Sequence, residues 1–272
     1  MLRSSLKLLT LLALIFLLSA IVLHHDSAAK KAKSKITTLP SLLVPEVLRF
    51  LPHLRPGHTQ GLLFAGGSLF ESVGLYGQSE VREIDAKTGE LCARHQNNNF
   101  EFGEGLALHG DTLIQLTWRE GYALRLTRVG LTVETPWSYS GEGWGLTWVS
   151  DTQTFFRSDG TSLLHIHNAT NFGKEGTLEV KRVGVALKNL NELEYAQGTI
   201  YANLYGATAK DQYIIAIDPH SGDVTAEIDF RTLCQEEGIA VGRELNGIAY
   251  DPDEDVFYIT GKHWEKIYVV RW

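Results

Sequence analysis

One pattern of polar and apolar positions recurs five times along this chain. A polar or aromatic residue is followed by glycine, or once by glutamate, then by an aliphatic residue and one or two further apolar positions. The copies begin at Gln60, Glu104, Trp144, Asn191 and Asn246. Their spacings of 44, 40, 47 and 55 residues match the roughly 40–50 residues of one β-propeller blade.

Each copy is followed by the same order of elements. A turn rich in Gly, Asp or Pro supplies the backbone angles that hairpins need. Second strands are predicted at 69–72, 113–116, 155–158, 200–203 and 257–260. Third strands are predicted at 80–85, 122–127, 162–167, 213–218 and 266–272, and fourth strands at 91–95, 132–135, 177–181 and 224–229.

The fifth repeat has no fourth strand, because the sequence given ends at Trp272. Residues 46–52 (EVLRFLP) form an unassigned strand ahead of the first repeat. We predict that this strand completes the fifth blade, which closes the ring and protects a sheet edge. The predicted fold is therefore an all-β, five-bladed β-propeller. A β-sandwich is the alternative, but it does not explain five equivalent turns at blade-like spacing.

The N-terminal region differs from the repeats. Residues 8–23 are apolar apart from Thr10 and Ser19, and Arg3 and Lys7 precede them, as in a secretory signal. As a helix they would span about 24 Å, slightly less than the ~30 Å hydrocarbon core. A cleaved signal peptide and an uncleaved membrane anchor both fit, and we favour the anchor. The domain is then expected in the secretory pathway, the periplasm or on the extracellular face, although basic residues at 30–35 favour the cytoplasmic side.

These features divide the chain into three parts. Residues 1–29 are predicted to be the signal peptide or anchor, residues 30–43 a linker, and residues 44–272 the propeller. Residues 36–272 hold 19 basic and 31 acidic residues, because six of the 25 basic and one of the 32 acidic residues precede them. So acidic a domain is a poor partner for nucleic acid. The two cysteines, Cys92 and Cys234, fit either free thiols or one disulfide.

The repeats also predict which side chains meet at the channel. The five residues that begin the copies should ring one mouth, because the first strand of each blade lines the channel. The ends of the second strands should form an outer ring of Gly74, Trp118, Gly160, Tyr205 and Lys262. These positions hold one carboxylate, one Lys, amides and aromatic rings, which disfavours a metal site, a paired-carboxylate glycosidase and a serine nucleophile elbow. The composition indicates a pocket for a polar, peptide-like ligand.

Seven short motifs carry a resemblance to a known family. They are 58–62 (HTQGL), 71–77 (ESVGLYG), 102–106 (FGEGL), 115–118 (QLTW), 143–146 (GWGL), 191–195 (NELEY) and 260–264 (TGKHW). In this order the chain resembles the plant and bacterial type of glutaminyl-peptide cyclotransferase over about residues 46–272. That family has a five-bladed propeller and is unrelated to the zinc-dependent animal type.

The resemblance implies an enzyme that converts the N-terminal glutaminyl residue of peptides and proteins to pyroglutamate and releases ammonia. It implies no cofactor and no metal, and we expect a monomer. Glu104 matches the family's acid/base glutamate. The matching substrate-binding residues are Gln60, Phe102, Trp118, Trp144, Asn191, Tyr205 and Lys262. Two positions depart from the plant pattern. His58 stands where plant members have an aromatic residue, and Tyr205 stands where they have Trp. Both replacements retain a flat ring.

Two rival functions remain open from the sequence. A non-catalytic propeller would bind peptide N-termini without releasing ammonia. A lactonase-like hydrolase would need a calcium cluster of Glu, Asn and Asp in the channel, whereas the predicted rings hold one acid.

Overall fold

The computed structural model of the protein describes residues 39–206, 212–240 and 242–272. The apolar run at 8–23 and the proposed start of the linker lie outside these residues. Within them, no helix is both long enough and apolar enough to cross a membrane.

The described residues form five antiparallel blades, which confirms the predicted propeller. Two strands precede the first blade: β1 (Ser41–Leu43) and β2 (Glu46–Pro52). Blade 1 contains β3 (Thr59–Ala65), β4 (Ser68–Val73), β5 (Glu80–Asp85) and β6 (Leu91–Gln96). Blade 2 contains β7 (Gly103–His109), β8 (Thr112–Thr117), β9 (Tyr122–Thr127) and β10 (Val133–Ser138). Blade 3 contains β11 (Leu146–Val149), β12 (Thr154–Arg157), β13 (Leu163–Asn168) and β14 (Lys174–Glu179).

A short hairpin of β15 (Lys181–Arg182) and β16 (Val185–Ala186) follows blade 3. Blade 4 contains β17 (Leu190–Ala196), β18 (Thr199–Leu204), β19 (Tyr213–Ile217) and β20 (Val224–Asp229). One helical turn and a half, α1 (Arg231–Glu236), leads to blade 5, which contains β21 (Leu245–Asp251), β22 (Val256–Gly261) and β23 (Lys266–Arg271). The hairpin and α1 were not predicted, because neither belongs to the repeat.

Strand β2 completes blade 5, as predicted. It pairs antiparallel with β23, with Glu46 opposite Arg271 and Pro52 opposite Lys266. A buried polar cluster follows this strand: His53 contacts Glu71 of blade 1 at 3.2 Å and the backbone oxygen of Trp264 of blade 5 at 2.9 Å. The residue after the closing strand thus ties the first and last blades together.

The linker prediction needs a correction at its end. Residues 41–43 were expected to be linker, yet β1 pairs in parallel with the outer edge of β20, with Leu43 opposite Ile228. Leu43 packs against the core between blades 4 and 5. Partial burial of this side chain and pairing with an open strand edge explain why the segment is ordered as a strand.

The glycine of the repeat is explained by contact between neighbouring first strands. A Cβ on Gly105 would lie 2.4 Å from the backbone nitrogen of Leu146, and one on Gly145 would lie 2.0 Å from the backbone oxygen of Asn191. No side chain fits at either distance. In blade 4 the repeat has Glu192 instead of glycine, and its buried carboxyl group accepts hydrogen bonds from the backbone N–H of Leu62 and of Ile248. Glu192 therefore connects blade 4 to blades 1 and 5 at the channel.

Candidate active site

A cavity of about 410 Å³ opens at one mouth of the channel. Volumes of this order are usual for sites that bind small ligands. The cavity is lined by His58, Gln60, Leu75, Phe102, Glu104, Trp118, Arg119, Glu142, Trp144, Asn191, Tyr205, Gly242, Glu244 and Lys262. All eight residues predicted from the sequence as catalytic or substrate-binding are among them.

Glu104 is a buried carboxylate at the start of blade 2, with 4% of its surface exposed. Gln60 Nε2, one blade away, donates a hydrogen bond of 2.7 Å to its Oε1. Burial raises the pKa of Glu104 well above its usual range, while Lys262 and the hydrogen bond from Gln60 act in the opposite direction. A carboxyl group with a raised pKa can both accept and return a proton near neutral pH.

Gln60 is itself held by Asn246 of blade 5. Asn246 Nδ2 donates to Gln60 Oε1 at 3.1 Å and to the backbone oxygen of Thr59 at 2.8 Å. Because the oxygen of Gln60 faces Asn246, its amide nitrogen faces Glu104. Asn246 belongs to the predicted inner ring, but it is absent from the cavity lining and acts from beneath it.

Lys262 brings a cation to the cavity although only 3% of its surface is exposed. Its Nζ lies 3.5 Å from Glu244 Oε2 and 4.9 Å from the centre of the Tyr205 ring. Its backbone N–H donates to the backbone oxygen of Glu244 at 2.9 Å. The Nζ of Lys262 therefore lies between the partly exposed Glu244 carboxylate and the face of the Tyr205 ring.

Aromatic rings form the remaining walls. The Phe102 and Trp118 rings lie 5.4 Å apart, and the Trp144 and Tyr205 rings lie 5.2 Å apart in an edge-to-face arrangement. Gly160, a residue of the predicted outer ring, leaves room for the Trp144 side chain. A Cβ at position 160 would lie 2.6 Å from the indole. Flat apolar walls of this kind exclude water and hold the stem of a long side chain in a folded conformation.

The chain is similar to known proteins over nearly all of this propeller. Residues 17–272 match the family described as glutamine cyclotransferase. Glutaminyl-peptide cyclotransferase of Arabidopsis thaliana is 35% identical over 234 residues, which are 83% of this chain and 70% of that protein. The crystal structure of Myxococcus xanthus glutaminyl cyclase superposes with a TM-score of 0.78 at 34% identity, over 85% of this chain and 97% of that one.

This chain belongs to the glutamine cyclotransferase family. The resemblance stated from seven short motifs is thereby confirmed. The blades bring these motifs to one mouth although they are spread over about 200 residues of sequence, since each motif lies at the start or end of an inner strand.

The site residues predicted from the sequence do not include every group that lines the cavity. The rings derived from the repeats held one acid, but Glu142 and Glu244 also line the cavity. Both lie in loops that precede inner strands, outside the repeat, so superposition of the repeats could not place them. The sequence feature that could have indicated these two residues is their proximity to a repeat. Glu142 stands two residues before Trp144, and Glu244 stands two residues before Asn246.

His58, a departure from the plant pattern of this family, also lines the cavity. Its ring lies 6.1 Å from Phe102 and 5.5 Å from His263. Burial, followed by the charges of Lys262 and His263, lowers the pKa of His58 to about 4. His58 is therefore neutral at pH 7 and serves the cavity as a flat polar wall.

Within residues 39–206, 212–240 and 242–272, no three or more His, Cys, Asp or Glu side chains form a cluster that could hold a metal ion. The two cysteines are separate free thiols, Cys92 exposed and Cys234 buried.

Proposed function

We propose that this protein cyclises the N-terminal glutaminyl residue of peptides and proteins to pyroglutamate, with release of ammonia. The observation that carries the proposal is the buried Glu104 carboxyl, held by Gln60 in an aromatic-walled cavity at the channel mouth. The reaction is an aminoacyl transfer within one molecule. The α-amine attacks the side-chain amide carbon, a new C–N bond forms, and the bond to the amide nitrogen breaks.

Glu104 moves the proton in this reaction. The α-amine has an ordinary pKa of about 7.7–8.0, so it carries a proton on many substrate molecules at neutral pH. The Glu104 carboxylate takes a proton from the attacking nitrogen and then gives it to the departing one, which leaves as ammonia. One group serves as base and then as acid, and its raised pKa suits both steps.

Positioning supplies much of the remaining rate. A glutaminyl side chain is flexible, and the aromatic walls confine it so that its amide carbon meets its own amine. Gln60, Asn191 and Lys262 offer N–H groups to the amide and backbone carbonyls of the substrate. The same groups stabilise the negative charge that develops on the amide oxygen as the amine attacks. The proposed reaction balances in atoms and protons without a metal, a cofactor or an added water molecule.

The proposal extends to the setting in which the enzyme works. We propose a monomer whose partners are peptides and proteins that begin with glutamine. Residues 8–23 would direct the propeller across a membrane and keep it attached, so that it acts in the secretory pathway, in the periplasm or on the extracellular face.

The test is ammonia release from a Gln-initiated dipeptide by the full-length protein in detergent, with and without chelator. We expect turnover that resists chelator and yields one ammonia per pyroglutamyl product. An Asn-initiated dipeptide is the matched control, because its shorter side chain would have to close a strained four-membered ring. Absence of turnover in folded protein would overturn the proposal and favour a propeller that only binds peptide N-termini. Turnover abolished by chelator would instead favour a metal-dependent hydrolase.

A further inference from the structure

The indole N–H groups of two cavity walls converge on one oxygen atom. Trp118 Nε1 donates a hydrogen bond of 2.9 Å to Glu142 Oε2, and Trp144 Nε1 donates one of 3.0 Å to the same oxygen. Trp118 follows the second strand of blade 2, and Trp144 precedes the first strand of blade 3. Glu142 therefore joins two rings that belong to different blades.

The second oxygen of this carboxylate is also occupied. Arg119 Nε donates to Glu142 Oε1 at 2.9 Å, and the Arg119 guanidinium lies 3.6 Å from the centre of the Trp118 ring. Partial burial would raise the pKa of Glu142, but the hydrogen bonds from Trp144, Trp118 and Arg119 lower it overall. The group is therefore an ionised acceptor at neutral pH.

An indole has one hydrogen-bond donor, so a strong acceptor at a fixed place determines how its ring is turned. For Trp144 a second constraint exists, since the ring lies against Gly160 on one side and meets Tyr205 edge to face. The Trp118 ring is contacted by the Phe102 ring and by the Arg119 guanidinium, two residues that also line the cavity. Loss of the shared acceptor would leave both indole N–H groups without this partner, and the Trp118 ring, which lacks the Gly160 contact, would turn and change the width of the cavity.

We propose that Glu142 is a positioning residue, which sets the orientation of Trp118 and Trp144 by accepting both indole hydrogen bonds on one oxygen. Its effect on turnover rests on the proposed cyclisation. Its role is that of an acceptor rather than of a negative charge, and this distinction can be tested.

Three variants of the full-length protein separate the two roles. Arg119→Met alone removes the competing donor. Arg119→Met with Glu142→Gln keeps a carbonyl oxygen for both indoles but removes the charge. Arg119→Met with Glu142→Leu removes the oxygen as well. Glu227→Gln is the matched control, because Glu227 pairs with Arg182 on the outside of blade 4.

We expect the Gln variant to stay within about 3-fold of Arg119→Met in kcat/KM, and the Leu variant to fall by about 10- to 100-fold, as loss of two hydrogen bonds implies. KM should carry most of the loss, because the walls bind the glutaminyl side chain. Equal losses in the Gln and Leu variants would overturn the proposal in favour of charge. Full activity of the Leu variant would overturn it as well.

A spectroscopic readout does not depend on turnover or on the Leu variant folding. In ¹⁵N-labelled protein the indole N–H resonances of Trp118 and Trp144, assigned with Trp118→Phe and Trp144→Phe, should be shifted downfield and exchange slowly with water. The Gln variant should retain these properties. Indole resonances at solvent-like positions in the wild type would overturn the proposal. Downfield, slowly exchanging indole resonances in a protein that releases no ammonia would count against the proposed function alone.

Discussion

Asn246 determines which way the side-chain amide of Gln60 faces. Its Nδ2 lies 3.1 Å from Gln60 Oε1, so Gln60 must present its nitrogen, and not its oxygen, to Glu104. An amide that is free to flip could present its oxygen to the carboxyl instead, which would favour the protonated form of Glu104. Asn246, which is not among the residues lining the cavity, thus determines the hydrogen bond that Glu104 receives from Gln60.

The first prediction concerns this contact. Asn246→Leu should lower kcat/KM by about tenfold, since loss of a buried hydrogen bond costs roughly 1–1.5 kcal/mol. It should also move the acid limb of the kcat/KM profile to higher pH, because a flipped Gln60 amide no longer stabilises the Glu104 carboxylate. The profile is measured by ammonia release between pH 5 and 9. A lower rate with an unmoved limb would contradict the tuning role.

The second prediction concerns the charge of Lys262. This ammonium lowers the pKa of Glu104 against the effect of burial. Lys262→Met removes that stabilisation of the carboxylate, so the Glu104 pKa should rise further and the acid limb should move to higher pH. Lys262→Arg, which keeps the charge, is the matched variant and should leave the limb near its wild-type position even if its rate is reduced. A limb that moves to lower pH in the Met variant would contradict this account.

The third prediction concerns Glu192, the glutamate at the glycine position of the fourth repeat. Glu192→Ala would leave the buried N–H groups of Leu62 and Ile248 without their acceptor. The free energy of unfolding should fall by about 2–5 kcal/mol, as expected for two unsatisfied buried donors. Urea unfolding followed by fluorescence measures the change, with the exposed Glu175→Ala as control. Equal stability of both variants would show that water replaces the carboxylate without cost.

The fourth prediction concerns the buried carboxylate that ties the closing strand to blade 1. Burial would raise the pKa of Glu71, but His53, Arg82 and Thr59 lower it to about 2. Because the folded pKa lies below the ordinary 4.5, the stabilisation is complete above about pH 4.5 and is lost as pH falls towards 2. Its size is on the order of 3 kcal/mol.

Urea unfolding at pH 6 and pH 3 tests this point. Wild type should lose more stability on acidification than Glu71→Gln, which should already be less stable at pH 6. A parallel loss in the two proteins would mean that Glu71 has an ordinary pKa in the fold.

Much of the fold could be predicted because a propeller repeats a local unit. Each blade is a series of hairpins, and the turn residues and alternating strands that form them are neighbours in sequence. The spacing of the copies then determined that Gln60, Glu104 and Asn191 meet at one mouth. For the same reason the strand at 46–52 could be assigned to blade 5, which lacked one.

The sequence by itself therefore determined the blade count, the closure of the ring and eight of the residues that line the cavity. Only the tertiary structure decided the contacts that lie outside the repeat: Glu142 hydrogen-bonded to two indoles, Glu244 beside Lys262, and β1 on the edge of blade 4. Periodicity cannot place such groups, because they lie outside the repeat and their positions depend on packing between blades. The raised pKa of Glu104 also belongs to the tertiary structure, because its cause is burial, and burial exists only once all five blades are assembled.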